Sequence, residues 1–105
     1  MADSEIVDGR IILRRTDEER KPILERLGRI EGQVRGLRAM IEQDRHCLDE
    51  IQQISAARAG LREVALLIIG QHVEQGIRHA LDEHEREPSL ADVMRVLREA
   101  MRSGD

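Results

Sequence analysis

Residues 44–80 read DRHCLDEIQQISAARAGLREVALLIIGQHVEQGIRHA, a stretch without proline that decides the architecture of the 105-residue chain. Mostly apolar side chains recur in it in steps of four and three, which is the spacing of one face of an α-helix. The stripe comprises Cys47, Ile51, Ile54, Arg58, Leu61, Ala65, Ile68 and His72. We predict a helix capped by Asp44 and ending near Ala80, roughly 50 Å long at 1.5 Å per residue. Such a length favours packing against a second chain.

Helices are also predicted on both sides of this long helix. Residues 16–19 (TDEE) form a capping-box pattern, and apolar residues then recur at helical spacing from 23 to 41. After Pro88, residues 89–92 (SLAD) form a second capping-box pattern that opens a shorter helix. The sequence therefore predicts an all-α chain of three helices with a long central one.

The rest of the chain sets the predicted domain boundaries. Residues 1–15 show no clear period and mix acidic with basic side chains, so we interpret them as a mobile N-terminal arm. Residues 16–102 form the predicted helical domain, and residues 103–105 form a polar tail.

Composition supports a helical protein and argues against several function classes. Hydrophobic residues make up 40% of the chain, but Phe, Tyr and Trp are absent. A β-sheet and an aromatic platform for stacking single-stranded bases are both poorly supported by such a composition. No apolar run approaches the roughly 20 residues of a membrane span, so no membrane partner is expected. A single cysteine and an N-terminus unlike a signal peptide favour a reducing cytoplasm.

The charges are unevenly distributed along the chain. The net charge is −4, yet residues 10–45 carry ten basic against seven acidic side chains. Sixteen of the 17 basic residues are arginine, whose planar fork of donors suits phosphates and base edges. The distribution is compatible with binding to duplex DNA, and a solvated helix face is the alternative interpretation.

The spacing of Cys47 and His72 points to a site between two chains. The 25 steps from Cys47 to His72 amount to about 2,500° of helical rotation, so both lie within about 20° on one face. They also stand roughly 37 Å apart along the axis, whereas two ligands of one metal ion lie within about 4 Å of each other. A second helix, antiparallel and crossing near the small residues 56–60, would bring Cys47 beside the partner's His72. A buried thiol and a polar residue at a helix end are the alternative.

Four sequence segments carry a resemblance to a known family. They are RLGRIEGQVRG at residues 26–36, His46 with Cys47, QQISA at residues 52–56, and His72. Together they resemble the CsoR/RcnR family of bacterial repressors over residues 21–101. The resemblance implies a three-helix chain that forms an antiparallel dimer, as a four-helix bundle, and then a dimer of dimers. It also implies that the protein binds double-stranded operator DNA and releases it when an effector engages an intersubunit site formed by Cys47 and His72.

The resemblance leaves the effector open between a metal ion and an electrophile. Copper sensors of the family add a second Cys four residues after the His, and nickel and cobalt sensors place a His there, but this chain has Gly76. Formaldehyde sensors pair the Cys with a proline at the second position, where this chain has Ala2. Expected metals are Cu(I), Ni(II), Co(II) or Zn(II), with none needed if the effector is formaldehyde. Candidates for completing a metal shell are Gln75, His79, Glu74 and groups on the N-terminal arm.

The resemblance also suggests supporting and DNA-contacting residues. His46 and Asp92 fall where copper-sensing members keep hydrogen-bonding groups that link the site to the third helix. The expected DNA-contacting residues are Lys21, Arg26, Arg29 and Arg58.

Three alternative functions remain beside that of a repressor. One is a Cys-dependent sensor of oxidants or sulfur species with the same fold, and another is a helical oligomerisation module in which Cys47 is inert. The third is an enzyme with Cys47 as nucleophile and His72 as base, which is disfavoured because no third orienting group and no oxyanion donor is found.

Overall fold

The computed structural model describes residues 3–103, with Ser103 described through its backbone alone. The chain contains two strands, β1 (Asp3–Val7) and β2 (Arg10–Arg14), and three helices, α1 (Asp17–Glu42), α2 (Cys47–Ala80) and α3 (Arg86–Ser103). The prediction of three helices with a long central one is confirmed. Ala2 and most of the predicted tail lie outside the described residues. The boundaries proposed at residues 15 and 102, and the mobility of the N-terminal arm, stay predictions.

A β-hairpin precedes the helices, so the prediction of a purely helical chain is wrong for this segment. Strands β1 and β2 pair antiparallel, with Ile6 opposite Ile11. The connecting residues Asp8 and Gly9 have φ values of 51° and 75°. Two successive left-handed residues form the turn that matches the twist of a hairpin, and Asp-Gly is a preferred pair for it. The preference of Asp-Gly for this turn therefore favours the hairpin, although the absence of aromatic residues argued against a β-sheet.

The predicted capping box at the start of α1 is confirmed. The Glu19 backbone N–H donates to Thr16 Oγ1 at 3.2 Å, and the Thr16 N–H donates to Glu19 Oε1 at 3.1 Å. Asp17, Glu18 and Glu19 place negative charge in the first turn, where the helix dipole favours it. These interactions fix where α1 begins.

Asp44 ends α1, so its predicted role as the cap of α2 is wrong. Its φ is 52°, and the Arg45 N–H donates to the Met40 carbonyl at 2.9 Å, which is the pattern of a Schellman C-cap. His46 caps α2 instead, because its Nδ1 accepts the N–H of Leu48 at 3.0 Å. The turn between the helices is therefore only a few residues long.

The chain divides into two compact units, of which the second spans Lys21–Val64 and pairs most of α1 with the first half of α2. Ile23, Ile30 and Val64 are buried in it. A Cβ built on Gly60 would lie 2.9 Å from Ile30 Cγ1, so the glycine allows the two helices to approach closely. Gly60 thus serves packing within the chain. The crossing between chains assigned to residues 56–60 stays a prediction.

The first unit combines the hairpin with the second half of α2 and with α3. The predicted capping box at residues 89–92 is wrong, because α3 already begins at Arg86. Ser89 and Asp92 lie inside the helix and are buried, with side chains that bond to other elements. Among the described residues, no helix is long and apolar enough to cross a membrane.

Candidate functional site

Cys47 stands in an open environment at the start of α2. It is the first residue of the helix, and its thiol is free and exposed. The side chains around it are also exposed, including an ion pair between Arg45 and Asp49 at 3.2 Å. A reagent or a second chain can therefore reach the thiol without any rearrangement of this turn.

His72, 25 residues further along α2, lies in the opposite kind of environment. Only 9% of the residue is exposed, and its Nε2 lies 2.9 Å from Asp92 Oδ2 on α3. The direction of this contact does not meet the angle of a hydrogen bond, so Nε2 lacks a directed partner among the described residues. The contact is electrostatic, because this attraction depends on distance and both groups are buried.

Asp92 connects His72 to the β-hairpin. Its Oδ2, the oxygen beside His72, accepts the backbone N–H of Ile11 on β2 at 2.9 Å. Its Oδ1 accepts from Arg95 at 2.8 Å, and Arg95 also donates to the carbonyl of Gly9 in the hairpin turn at 2.5 Å. Asp92 is thus the meeting point of α2, α3 and the hairpin.

The charge state of Asp92 follows from these neighbours. Burial alone would raise the pKa of this carboxyl. The hydrogen bonds from Ile11 and Arg95, together with the charges of His72 and Arg95, outweigh that effect, so the pKa of Asp92 is lowered. Asp92 is therefore a carboxylate at neutral pH and presents negative charge to the His72 ring.

The other donors near His72 on α2 already have partners. Gln75 Oε1 accepts from Ser4 Oγ at 2.7 Å. His79 contacts Ser4 Oγ through Nε2 at 2.8 Å and Glu85 Oε1 through Nδ1 at 3.0 Å. Glu74 is exposed and lies 3.9 Å from Arg78. A metal ion could recruit these groups only by displacing existing contacts.

The metal arrangements implied by the resemblance do not fit the residues that one chain brings together. Within residues 3–103, no three His, Cys, Asp or Glu side chains are grouped so that they could hold a metal ion. Gly76, one turn after His72, is buried and contributes no side chain. Cys47 and His72 lie 25 positions apart on α2 and belong to different compact units.

The expected DNA-contacting residues all lie in the Lys21–Val64 unit. Lys21, Arg29 and Arg58 are exposed. Arg26 is half-buried, with Nε 3.4 Å from Glu63 and a hydrogen bond from its guanidinium to the carbonyl of Pro22 at 3.2 Å. Three of the four expected cations are therefore exposed, and Arg26 would have to leave Glu63 to bind a phosphate.

Sequence reasoning missed the groups that link His72 to the hairpin. Ser4, Ile11 and Arg95 all contact residues of the His72 region, yet none carries a pattern that marks it as functional. The Asp8–Gly9 turn is the one signal in the sequence that could have revealed the hairpin.

Comparison with known proteins decides the family. Residues 19–100 match the metal-sensitive transcriptional repressor family. The chain belongs to this family. The resemblance to CsoR and RcnR repressors is thereby confirmed. Members of the family are transcriptional repressors and not enzymes, so the interpretation of Cys47 and His72 as a nucleophile and base is set aside.

Individual relatives respond to different metals. The copper-sensing repressor CsoR of Bacillus subtilis is 35% identical over 89 residues, which cover 85% of this chain and 88% of that protein. The crystal structure of CsoR with Cu(I) from Geobacillus thermodenitrificans superposes with a TM-score of 0.77 at 40% identity, covering 89% of this chain and 97% of that one. The nickel-responsive regulator InrS superposes with a TM-score of 0.71 at 32% identity, covering 82% and 97%. Copper and nickel, two of the expected metals, thus occur among the relatives.

Proposed function

We propose that the chain is an oligomeric repressor that releases operator DNA when an effector engages Cys47 of one chain and the partner's His72. The observation that carries this proposal is the exposed apolar stripe of α2. Ile51, Ile54, Leu61 and Ile68 are each about 40–60% exposed in the single chain. Apolar side chains aligned along one face favour burial against another protein surface.

A second copy of the chain is the partner proposed for this stripe. An antiparallel pairing of two α2 helices forms a four-helix bundle with α1 of both chains, and two dimers form a tetramer. In that pairing the exposed Cys47 lies beside the partner's His72, which is buried within its own chain. Each dimer then contains two equivalent sites.

Operator DNA is the partner proposed for the basic residues. Lys21, Arg29 and Arg58 are exposed, and Arg26 would exchange Glu63 for a phosphate. Contacts of this kind release counterions, so the affinity falls steeply as the salt concentration rises. Replacing Arg29 by Gln is expected to weaken binding to every duplex and to reduce the slope of log affinity against log salt by about one. Such a repressor acts where its DNA lies, in the cytoplasm.

Asp92 provides the proposed coupling between the effector and the rest of the chain. A ligand on His72 changes the charge of the ring that faces Asp92 Oδ2, and the same oxygen holds the Ile11 N–H. Engagement of the ring therefore alters how α3 and the hairpin are held against α2. By linkage, an effector that weakens DNA binding is itself bound more weakly by the DNA complex.

DNA binding by purified, reduced protein tests this function. Fluorescence anisotropy on the duplex upstream of its own gene measures affinity before and after separate additions of Cu(I), Ni(II) and formaldehyde. We expect tight binding by the metal-free protein and at least about tenfold weakening by one of these probes. The Cys47→Ala variant should bind equally well and respond to none. If no upstream duplex is bound, the repressor proposal fails.

Mixed oligomers test whether the site lies between chains. Cys47→Ala and His72→Ala proteins each lack a complete site when pure. A dimer of one chain of each restores one intact pair, because the Cys47 of one chain meets the partner's His72. Co-expressed chains should therefore regain part of the effector response. A response that both pure variants keep indicates an oligomerisation module with an inert thiol.

The exposure of Cys47 also supports a second candidate function, a sensor of oxidants or sulfur species. Hydrogen peroxide and an inorganic polysulfide are added to the same anisotropy assay. Release by either of these, with no effect of metals or formaldehyde, would select this alternative.

A further inference from the structure

Gly76 occupies the most tightly packed glycine position of the described chain. It lies one turn after His72 on α2 and is buried against α3 and the hairpin. A Cβ built on it would lie 2.2 Å from Val93 Cγ2, 3.5 Å from Ile11 Cδ1 and 3.7 Å from Ser89 Oγ. The first of these distances is far below any real carbon–carbon contact, so a side chain at this position requires another atom to move.

Val93 cannot move aside at low cost. It is β-branched and lies in the middle of α3, where valine has a single strongly preferred χ1 rotamer. The backbones of the two helices are also held together, because Ser89 Oγ donates to the carbonyl of Gly76 at 2.6 Å from a fully buried position. Neither a rotation of Val93 nor a separation of the helices is therefore easy.

Because of this packing, position 76 accommodates glycine but not a larger residue while Val93 stays in place. In copper and nickel sensors of the family, the resemblance places a metal-binding side chain at this position. Here the space that such a side chain needs is filled by Val93, while Gln75 and His79 are held by Ser4. The groups we assign to the effector are therefore the thiol of Cys47 and the ring of the partner's His72.

We propose that Gly76 and Val93 together determine effector specificity by closing the position of a third protein ligand on α2. The site thereby disfavours a metal ion that needs three ligands from the two α2 helices. The inference rests on the proposed function, in which Cys47 and His72 form the effector site. It adds that the selectivity resides in a packing contact between α2 and α3 that can be opened by mutation.

A metal-free stability cycle tests the packing step. Gly76→Ala is made alone and together with Val93→Ala, and Tm is measured at one protein concentration. In the parent background Gly76→Ala should lower Tm by on the order of 10 °C, as overpacking of a small domain does. In the Val93→Ala background the same change should lower Tm by no more than about a third of that. Equal losses in both backgrounds would overturn the steric argument.

Copper binding tests the specificity step. The parent, Val93→Ala, Gly76→Cys and the double variant compete for Cu(I) with a chromophoric chelator. The double variant should gain at least about tenfold in affinity over the parent, and Gly76→Cys alone should gain clearly less and lose Tm. A full gain by Gly76→Cys with unchanged Tm would overturn the proposal, and so would a folded double variant that gains nothing. Operator binding by the metal-free parent is measured separately, so a failure of the repressor function is recognised independently.

Discussion

Cys47 and His72, the two ends of the proposed site on α2, differ sharply in their exposure to water. At the Cys47 end the thiol, the neighbouring His46 and the Arg45–Asp49 pair are all accessible to water. At the His72 end the histidine residue is 9% exposed, and Asp92 beside it is 5% exposed. One half of the proposed site is therefore held in place by the fold of a single chain, and the other half is a reactive group that assembly must bring to it.

The largest contrast between the two ends is expected when one carboxylate is removed at a time, Asp92 at the His72 end and Asp49 at the Cys47 end. Asp92→Ala leaves the buried N–H of Ile11 without its acceptor and removes the carboxylate that Arg95 and His72 contact, which costs about 2–4 kcal/mol. Asp49→Ala removes only a surface pair and should cost less than about 1 kcal/mol. Urea unfolding of both variants measures the contrast. Similar losses for the two would show that the His72 end is not the more ordered half.

Acid should weaken the His72 end selectively. The lowered pKa of Asp92 means that the folded chain binds the proton less readily than the unfolded chain, whose carboxyl has a pKa near 3.8. The stabilisation is therefore complete well above that pH and is lost as the pH falls through the folded value. Asp92→Asn lacks this titration, so the parent's advantage in unfolding free energy should shrink below about pH 4. If the parent's advantage in unfolding free energy over Asp92→Asn grows as the pH falls, the lowered pKa of Asp92 is contradicted.

A smaller loss is expected at the contact between α2 and α3. Ser89→Ala removes the hydrogen bond to the Gly76 carbonyl but leaves the packing of Gly76 against Val93 in place. Removing one buried hydrogen bond costs about 1 kcal/mol. Chemical denaturation provides the measurement, with the exposed Ser55→Ala on α2 as the matched control. A cost no larger than that of the control would show that the Ser89 hydrogen bond does not help to hold α3 against α2.

The smallest effects are expected at the Cys47 end. His46→Ala removes the cap of α2 and should cost about 0.5–1 kcal/mol, because Leu48 loses the acceptor of its N–H. Cys47→Ser replaces an exposed thiol and should change stability by less than about 0.5 kcal/mol. Thermal unfolding of both variants checks that His46→Ala loses more stability than Cys47→Ser. A large loss from Cys47→Ser would mean that the thiol is already buried in the assembled protein.

What the sequence could predict depended on the range of the interactions involved. The helical periodicity of α1 and α2 and the capping box at Thr16 are local patterns, and they located these elements correctly. The pattern at residues 89–92 looked equally local but misled. Ser89 and Asp92 bond to Gly76 and Ile11, which are distant in sequence, and these partners hold both side chains inside α3.

The candidate site shows the same difference between local patterns, which the sequence predicts, and contacts between distant residues, which it does not. The shared face of Cys47 and His72 follows from their spacing alone. The family resemblance made Asp92 a candidate for a group that links the site to the third helix. Nothing in the sequence revealed that Ile11 would share the same carboxylate oxygen or that Val93 would fill the space beside Gly76. Both facts depend on how closely α2, α3 and the hairpin approach one another, which no spacing rule encodes.

A disulfide trap tests the central claim, that Cys47 of one chain meets position 72 of another, without knowledge of the effector. Cys47 is the single cysteine of the parent, so His72→Cys adds one thiol, and Glu74→Cys adds one at an exposed control position. Disulfides form only between residues whose Cα atoms lie within about 7 Å. On mild oxidation, His72→Cys should form covalent dimers far faster than the parent or the control, and mass spectrometry should find Cys47 joined to the introduced thiol. Dimers that form no faster than in the control, or that join Cys47 only to Cys47, would contradict the antiparallel site.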